Sequence, residues 1–255
     1  MNKLYKKSEL IFSIVFIIIY IIGASFADEF SNMIGISKIL TLPFFLVLSF
    51  ILILFITKNN LFKKYGLCKP NYKAKHFLFY IPLLILISTN LWLGVKMNFN
   101  ILESLLNVLA MLCVGFIEEI IFRGLLFKAL EKDNIKSAII ISSVTFGIGH
   151  LINLFSSRLE NIIPNICQVF YAMAVGFLFV IIFYKGGSLI SCILTHSLVN
   201  ALSIFQNTDF YTNLNEILIS IVIIIVAISY SLILMKTLTT ENKINKEQNT
   251  LTNDI

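Results

Sequence analysis

Three stretches of the sequence place acid–base side chains among apolar residues: GFIEEIIFRG at 115–124, FGIGH at 146–150 and HSLVN at 196–200. Ionisable groups inside apolar segments are costly and are functional candidates by default. Glu119 and Arg123 stand four apart with the acid on the N-terminal side, the favourable order for a helical ion pair. Glu118 points about 100° away round the helix and has no cationic partner on it. His150 shares a helix face with Phe146, and Asn200 shares one with His196. A carboxylate and a histidine can hold and deprotonate a water, making it a nucleophile toward a carbonyl. A histidine N–H and an asparagine amide can receive the oxyanion that forms. Glu118, His150, His196 and Asn200 are therefore the minimum set for glutamate-dependent amide hydrolysis, with Glu119, Arg123 and Phe146 in support. Ser142, Ser143, Ser191 and Ser197 lie nearby in sequence, but none sits in a nucleophile motif.

The elements that carry these residues are expected to be membrane helices. Of the 255 residues 58% are hydrophobic and only 13% charged, and the mean hydropathy is +0.89, far too apolar for an ordinary soluble domain. Eight apolar runs approach or exceed the roughly 20 residues that cross a hydrocarbon core. They cover Leu10 to Ala27, Ile39 to Ile56, Phe77 to Leu93, Leu105 to Phe127, Ser137 to Phe155, Val169 to Phe183, Ser188 to Phe205 and Ile217 to Met235. The predicted fold is all-α, a polytopic membrane protein of about eight transmembrane helices.

Loop charges supply the orientation, because Lys and Arg accumulate on the cytoplasmic side. The loop TKNNLFKKYGLCKPNYKAKH has six lysines and no acid. Lys3, Lys6 and Lys7 precede the first run, Lys128, Lys132 and Lys136 follow the fourth, Lys185 the sixth, and Lys236, Lys243 and Lys246 the eighth. Both termini are expected in the cytoplasm. Depth then offers a test of whether the polar residues can meet. At about 1.5 Å per residue, Glu118 lies roughly 15 Å from the cytoplasmic end of its run, His150 roughly 20 Å, His196 roughly 13 Å and Asn200 roughly 20 Å. All four fall near the midplane.

The chain divides into N-terminal transmembrane helices over 1–104, a catalytic core over 105–205, a final helix over 206–236 and a polar tail over 237–255 expected to be disordered. A rival reading of the start takes the basic residues, apolar run and SFA before Asp28 as a signal peptide. Cys68, Cys113, Cys167 and Cys192 suggest neither a disulfide framework nor a zinc ribbon. The formal charge of +6 sits in short loops rather than on one basic face, which argues against nucleic acid. The third histidine, His76, ends a basic loop.

The motifs E-E-x-x-x-R at Glu118, Glu119 and Arg123, F-x-x-x-H at Phe146 and His150, and H-x-x-x-N at His196 and Asn200, in that order on successive apolar runs, resemble the CPBP family. That family comprises type II CAAX prenyl endopeptidases and membrane proteins of bacteriocin processing or self-immunity. The resemblance covers roughly Leu105 to Phe205, and every motif position is filled. It implies an intramembrane glutamic endopeptidase in which Glu118 and His150 activate water, His196 and Asn200 form the oxyanion hole, and Glu119 with Arg123 hold the site. It implies no cofactor and no metal. The expected partners are the lipid bilayer and a peptide or membrane-protein substrate. The richness in Ile, Lys and Asn suggests an AT-rich bacterial genome, hence a bacterial plasma membrane and a substrate other than a prenylated one.

Two alternatives stand beside this reading. Two histidines and two glutamates could ligate zinc, although no H-E-x-x-H is present and the histidines lie on separate helices. Alternatively the cluster could serve a non-catalytic immunity, binding or transport protein as a relay or packing device. The paired helix interruptions of transporters are not seen, since Pro43, Pro70, Pro82 and Pro164 are scattered.

Overall fold

The computed structural model describes residues 1–151, 162–210 and 212–238. Among them the chain is helical, and its only β pairing is a single antiparallel bridge between Val95 and Gln206. The helices are α1 (Asn2–Lys7), α2 (Glu9–Ile34), α3 (Thr41–Lys58), α4 (Ile81–Ser88), α5 (Ile101–Glu119), α6 (Lys128–Leu130), α7 (Ile135–Gly149), α8 (Ile162–Gly186), α9 (Ile190–Ser203) and α10 (Asn213–Thr237). A π-helical segment, Ile120–Phe127, joins α5 to α6, so that 101–130 forms one helical rod. Four starts are marked by short polar caps, as expected where first-turn amides need acceptors. Ser8, Asn100, Asn134 and Thr212 accept from Ile11, Glu103, Ser137 and Asn215 respectively.

Each of the eight apolar runs becomes helix, though not to equal length. Six helical stretches are long and apolar enough to cross a membrane: Glu9–Ile34, Thr41–Lys58, Ala74–Leu91, Ile101–Leu130, Ile162–Gly186 and Asn213–Thr237. The other two, α7 with 15 residues and α9 with 14, reach only about 21–22 Å at the helical rise. These are the helices that carry the histidine motifs. The last residues of the fifth run, 152–155, and the tail from 239 lie outside the described residues.

Exposed apolar side chains mark a lipid-facing surface. Ile14, Ile18, Ile22 and Phe26 of α2 and Leu218, Ile221, Ile225 and Leu232 of α10 all point outward. A helix apolar on every side is buried in protein or in lipid. Inside, α8 packs along α10 and α7, α5 along α9 and α3, and α2 against the π segment. Helix α2 runs unbroken from Glu9 through SFA and Asp28 to Ile34. At one end of the bundle Glu9 accepts from Lys64 and Lys132, each at 2.7 Å. Burial works against the Lys64 charge, but Glu9 and Tyr5 outweigh it and hold its ammonium above the ordinary range.

The third run is the least regular. It enters through a 3₁₀ turn, Ala74–Tyr80, in which Leu78, Phe79 and Tyr80 have φ of +49°, +51° and +60°. Three non-glycine residues in succession in the left-handed region are costly. Tyr230 fixes the turn by donating to the Phe77 carbonyl at 2.7 Å, and the Phe77 and Tyr80 rings stack at 5.0 Å.

Candidate active site

The pair predicted by spacing is present and fully enclosed. Arg123 Nη1 donates to Glu119 Oε1 at 3.1 Å, with both side chains at 0% exposure. The guanidinium lies 4.0 Å over the Phe146 ring, a cation–π contact that desolvation strengthens. Arg123 stands inside the π segment, where the hydrogen-bond register is irregular. Ser142 of α7 supports that register by donating its hydroxyl to the Phe122 carbonyl at 2.9 Å. Such π insertions recur at functional sites.

His196 links the two glutamates. Its Nδ1 is 2.8 Å from Glu119 Oε1 and its Nε2 is 3.4 Å from Glu118 Oε2. A carboxylate only accepts, so Nδ1 carries the proton toward Glu119. Attraction across the second gap requires one proton, held by Nε2 or by Oε2. Glu119 thus does more than neutralise Arg123: it sets the tautomer of His196. Glu118 also has a partner that spacing did not reveal. Tyr20 of α2 donates its hydroxyl to Glu118 Oε1 at 2.5 Å. The other oxygen, Glu118 Oε2, is buried and without a hydrogen-bond partner among the described residues.

The backbone approach that brings α9 to α5 is made by Gly115. A Cβ there would stand 2.4 Å from the Ser197 amide nitrogen and 2.6 Å from its Cα. Only glycine lets the helices come this close, and His196 is the residue beside the contact. Phe146 does the corresponding work between α7 and α9. Its ring meets His150 edge-on at 5.4 Å and His196 edge-on at 5.6 Å, so the F-x-x-x-H spacing places one aromatic between two imidazoles.

His150, His196 and Asn200 line one cavity of about 90 Å³. Its remaining wall is largely apolar, with Leu86, Ala172, Val175, Phe179, Val199 and Ile223, and a few polar groups including Thr89 and Thr195. Glu118 is not part of that wall; it stands behind His196, on the side of α2. All seven predicted residues are therefore gathered, in two layers joined by the His196 ring. Among the described residues no group of three or more His, Cys, Asp or Glu side chains is arranged to hold a metal ion. The residue missed from sequence is Tyr20. It extends a stripe of aromatics at intervals of four, Phe12, Phe16 and Tyr20, and its hydroxyl was the available signal.

Residues 100–202 match the family model described as type II CAAX prenyl endopeptidase Rce1-like. No curated protein and no solved structure matches the chain. The matched segment runs from the cap of α5 almost to the end of α9 and holds all three motifs in order. It belongs to the Rce1-like family of type II CAAX prenyl endopeptidases, and the chain that carries it is a multi-pass membrane protein.

Proposed function

We propose that this protein is an intramembrane glutamate-dependent endopeptidase that cleaves a peptide or a membrane-protein segment. Glu118 is the general base, assisted by His150, and His196 with Asn200 are the oxyanion donors. The water oxygen forms its bond to the scissile carbonyl carbon while its proton passes to Glu118 Oε2. The negative charge on the carbonyl oxygen is met by N–H groups of His196 and Asn200. When the tetrahedral intermediate collapses, the C–N bond breaks and Glu118 returns the proton to the leaving amine. The products are a carboxylate and an amine. Glu119 and Arg123 hold the His196 ring in position through Nδ1, and donation to the oxyanion requires that Nε2 carry a proton as well. The observation that carries the reading is the buried, unpartnered Glu118 Oε2, 3.4 Å from the ring of His196, which in turn walls a cavity shared with His150 and Asn200. The lysine-rich alternate loops support cytoplasmic termini, and composition supports a bacterial plasma membrane.

The test is Glu118→Gln, which keeps shape and removes the base. A panel of quenched-fluorescence peptides with apolar segments is offered to purified protein in mixed micelles. The parent should cleave at least one, and the variant none, with unchanged helix content and melting. Cleavage by the variant at the parental rate would sink the proposal. Loss of parental activity on chelation, restored by zinc, would replace it with a metalloprotease. Host protection by a Glu118→Gln protein equal to that of the parent would instead favour a non-catalytic immunity role.

A further inference from the structure

The geometry points to Tyr20 as a positioning residue for Glu118: a phenol from α2, outside the matched segment, fixes which carboxylate oxygen is left to act. This rests on the reading of Glu118 as the base. Glu118 Oε1 is occupied by the Tyr20 hydroxyl at 2.5 Å, whereas Oε2 is buried without a partner and faces His196. A carboxylate whose two oxygens were equivalent could present either one to His196. With one oxygen held by a phenol, the in-plane orientation is set and a single basic oxygen remains. Hydrogen bonds to an ionised acceptor are the stronger class, so the phenol holds that orientation firmly.

The phenol is itself held. Tyr20 is 9% exposed, and its ring lies 6.0 Å from that of Phe45 on α3. One turn below on the same stripe, Phe16 packs on Phe12 at 4.8 Å, and these two rings have no oxygen. Depth agrees as well. Tyr20 is eleven residues beyond Glu9, about 16 Å along α2 by helical rise, close to the roughly 15 Å at which Glu118 sits in its own run. Around Glu118 the groups that ionise are Tyr20 from α2, His196 from α9 and His150 at the end of α7, with Glu119 adjacent in the chain. Of these, Tyr20 is the one that occupies Oε1.

Tyr20→Phe removes one oxygen and preserves the ring. In the peptide assay its kcat should fall roughly 10- to 100-fold, the value of one charge-assisted hydrogen bond, with KM within about two-fold of the parent. Infrared difference spectra of the reconstituted protein supply a readout free of substrate. The carboxylate band of Glu118, identified by its loss in Glu118→Gln, should shift in Tyr20→Phe. Phe16→Leu, on the same stripe, should lose some stability and leave both the band and kcat in place. An unshifted band with parental kcat in Tyr20→Phe would overturn the inference even if Glu118→Gln is inactive, which leaves the base assignment standing. An active Glu118→Gln would remove the base assignment and this inference with it. Equal losses in Tyr20→Phe and Phe16→Leu would reduce Tyr20 to packing.

Discussion

Replacing Gly115 by alanine tests whether the α5–α9 contact holds the site together. On helix propensity alone the change should be favourable, by about 1 kcal/mol in a helix interior. The structure reverses that sign. The added Cβ would lie 2.3 Å from the Ser197 hydroxyl oxygen, 2.4 Å from its nitrogen and 2.6 Å from its Cα, where ordinary contact begins at 3.4 Å. Two of these three atoms are backbone, so side-chain rotation cannot relieve the clash and the helices must part by about 1 Å. His196 moves with Ser197. Its 2.8 Å link to Glu119 would stretch past hydrogen-bonding range, and Nε2 would leave Glu118. Displacement of this size typically costs about 100-fold in rate, and overpacking costs about 1–3 kcal/mol of stability. Peptide cleavage should therefore fall by about two orders of magnitude, and the melting transition in detergent should drop. Adding Ser197→Gly should restore little, because the backbone atoms remain. Parental activity and unchanged or raised melting in Gly115→Ala would refute the reasoning.

Three further outcomes follow from the same coordinates. Arg123→Met leaves the fully buried Glu119 without its cation and should destabilise the protein by about 3–5 kcal/mol; adding Glu119→Leu should recover stability in the melting assay while activity stays absent. Asn200→Ala should lower kcat by about 100- to 1000-fold with little change in KM, the usual cost of one oxyanion donor, and a pure KM effect would assign Asn200 to binding instead. Phe79→Gly places glycine at φ +51°, on a side chain 66% exposed, and should raise the denaturation midpoint by about 1 kcal/mol equivalent; a lower midpoint would show that the left-handed turn is not strained.

The seven candidate residues stand out in the sequence because membrane burial makes ionisable groups rare, and helix spacing alone puts Glu119 with Arg123 and His196 with Asn200 on shared faces. The His196 bonds to both glutamates were not legible, since no pattern within one segment encodes which nitrogen meets which oxygen across helices. Tyr20 stayed hidden for a related reason: a tyrosine in an aromatic stripe reads as packing until its hydroxyl is seen to end at a carboxylate. The π segment after Glu119 leaves no mark in the run IIFRGLLF, because its support comes from Ser142 on another helix. The break at Leu78–Tyr80 was likewise invisible, as the residues are ordinary helix formers held by the distant Tyr230. Hydropathy counts apolar residues and not turns, and therefore it ran α7 and α9 longer than the 15 and 14 residues that form them.

The brevity of those two helices bears on the membrane itself. Both present lipid-facing side chains, Ile140, Ile141 and Val144 on one and Ile190, Leu194 and Leu198 on the other, over lengths about 8 Å short of a typical hydrocarbon core of roughly 30 Å. Bilayer thinning beside them would match such lengths, whereas the lengths of α2 and α10 require none. A bilayer matched to α2 and α10 should therefore be thinnest next to the histidines. Acyl-chain length should then act on the site: thin bilayers would relieve the mismatch, and thick ones would press on the two helices that carry His150, His196 and Asn200.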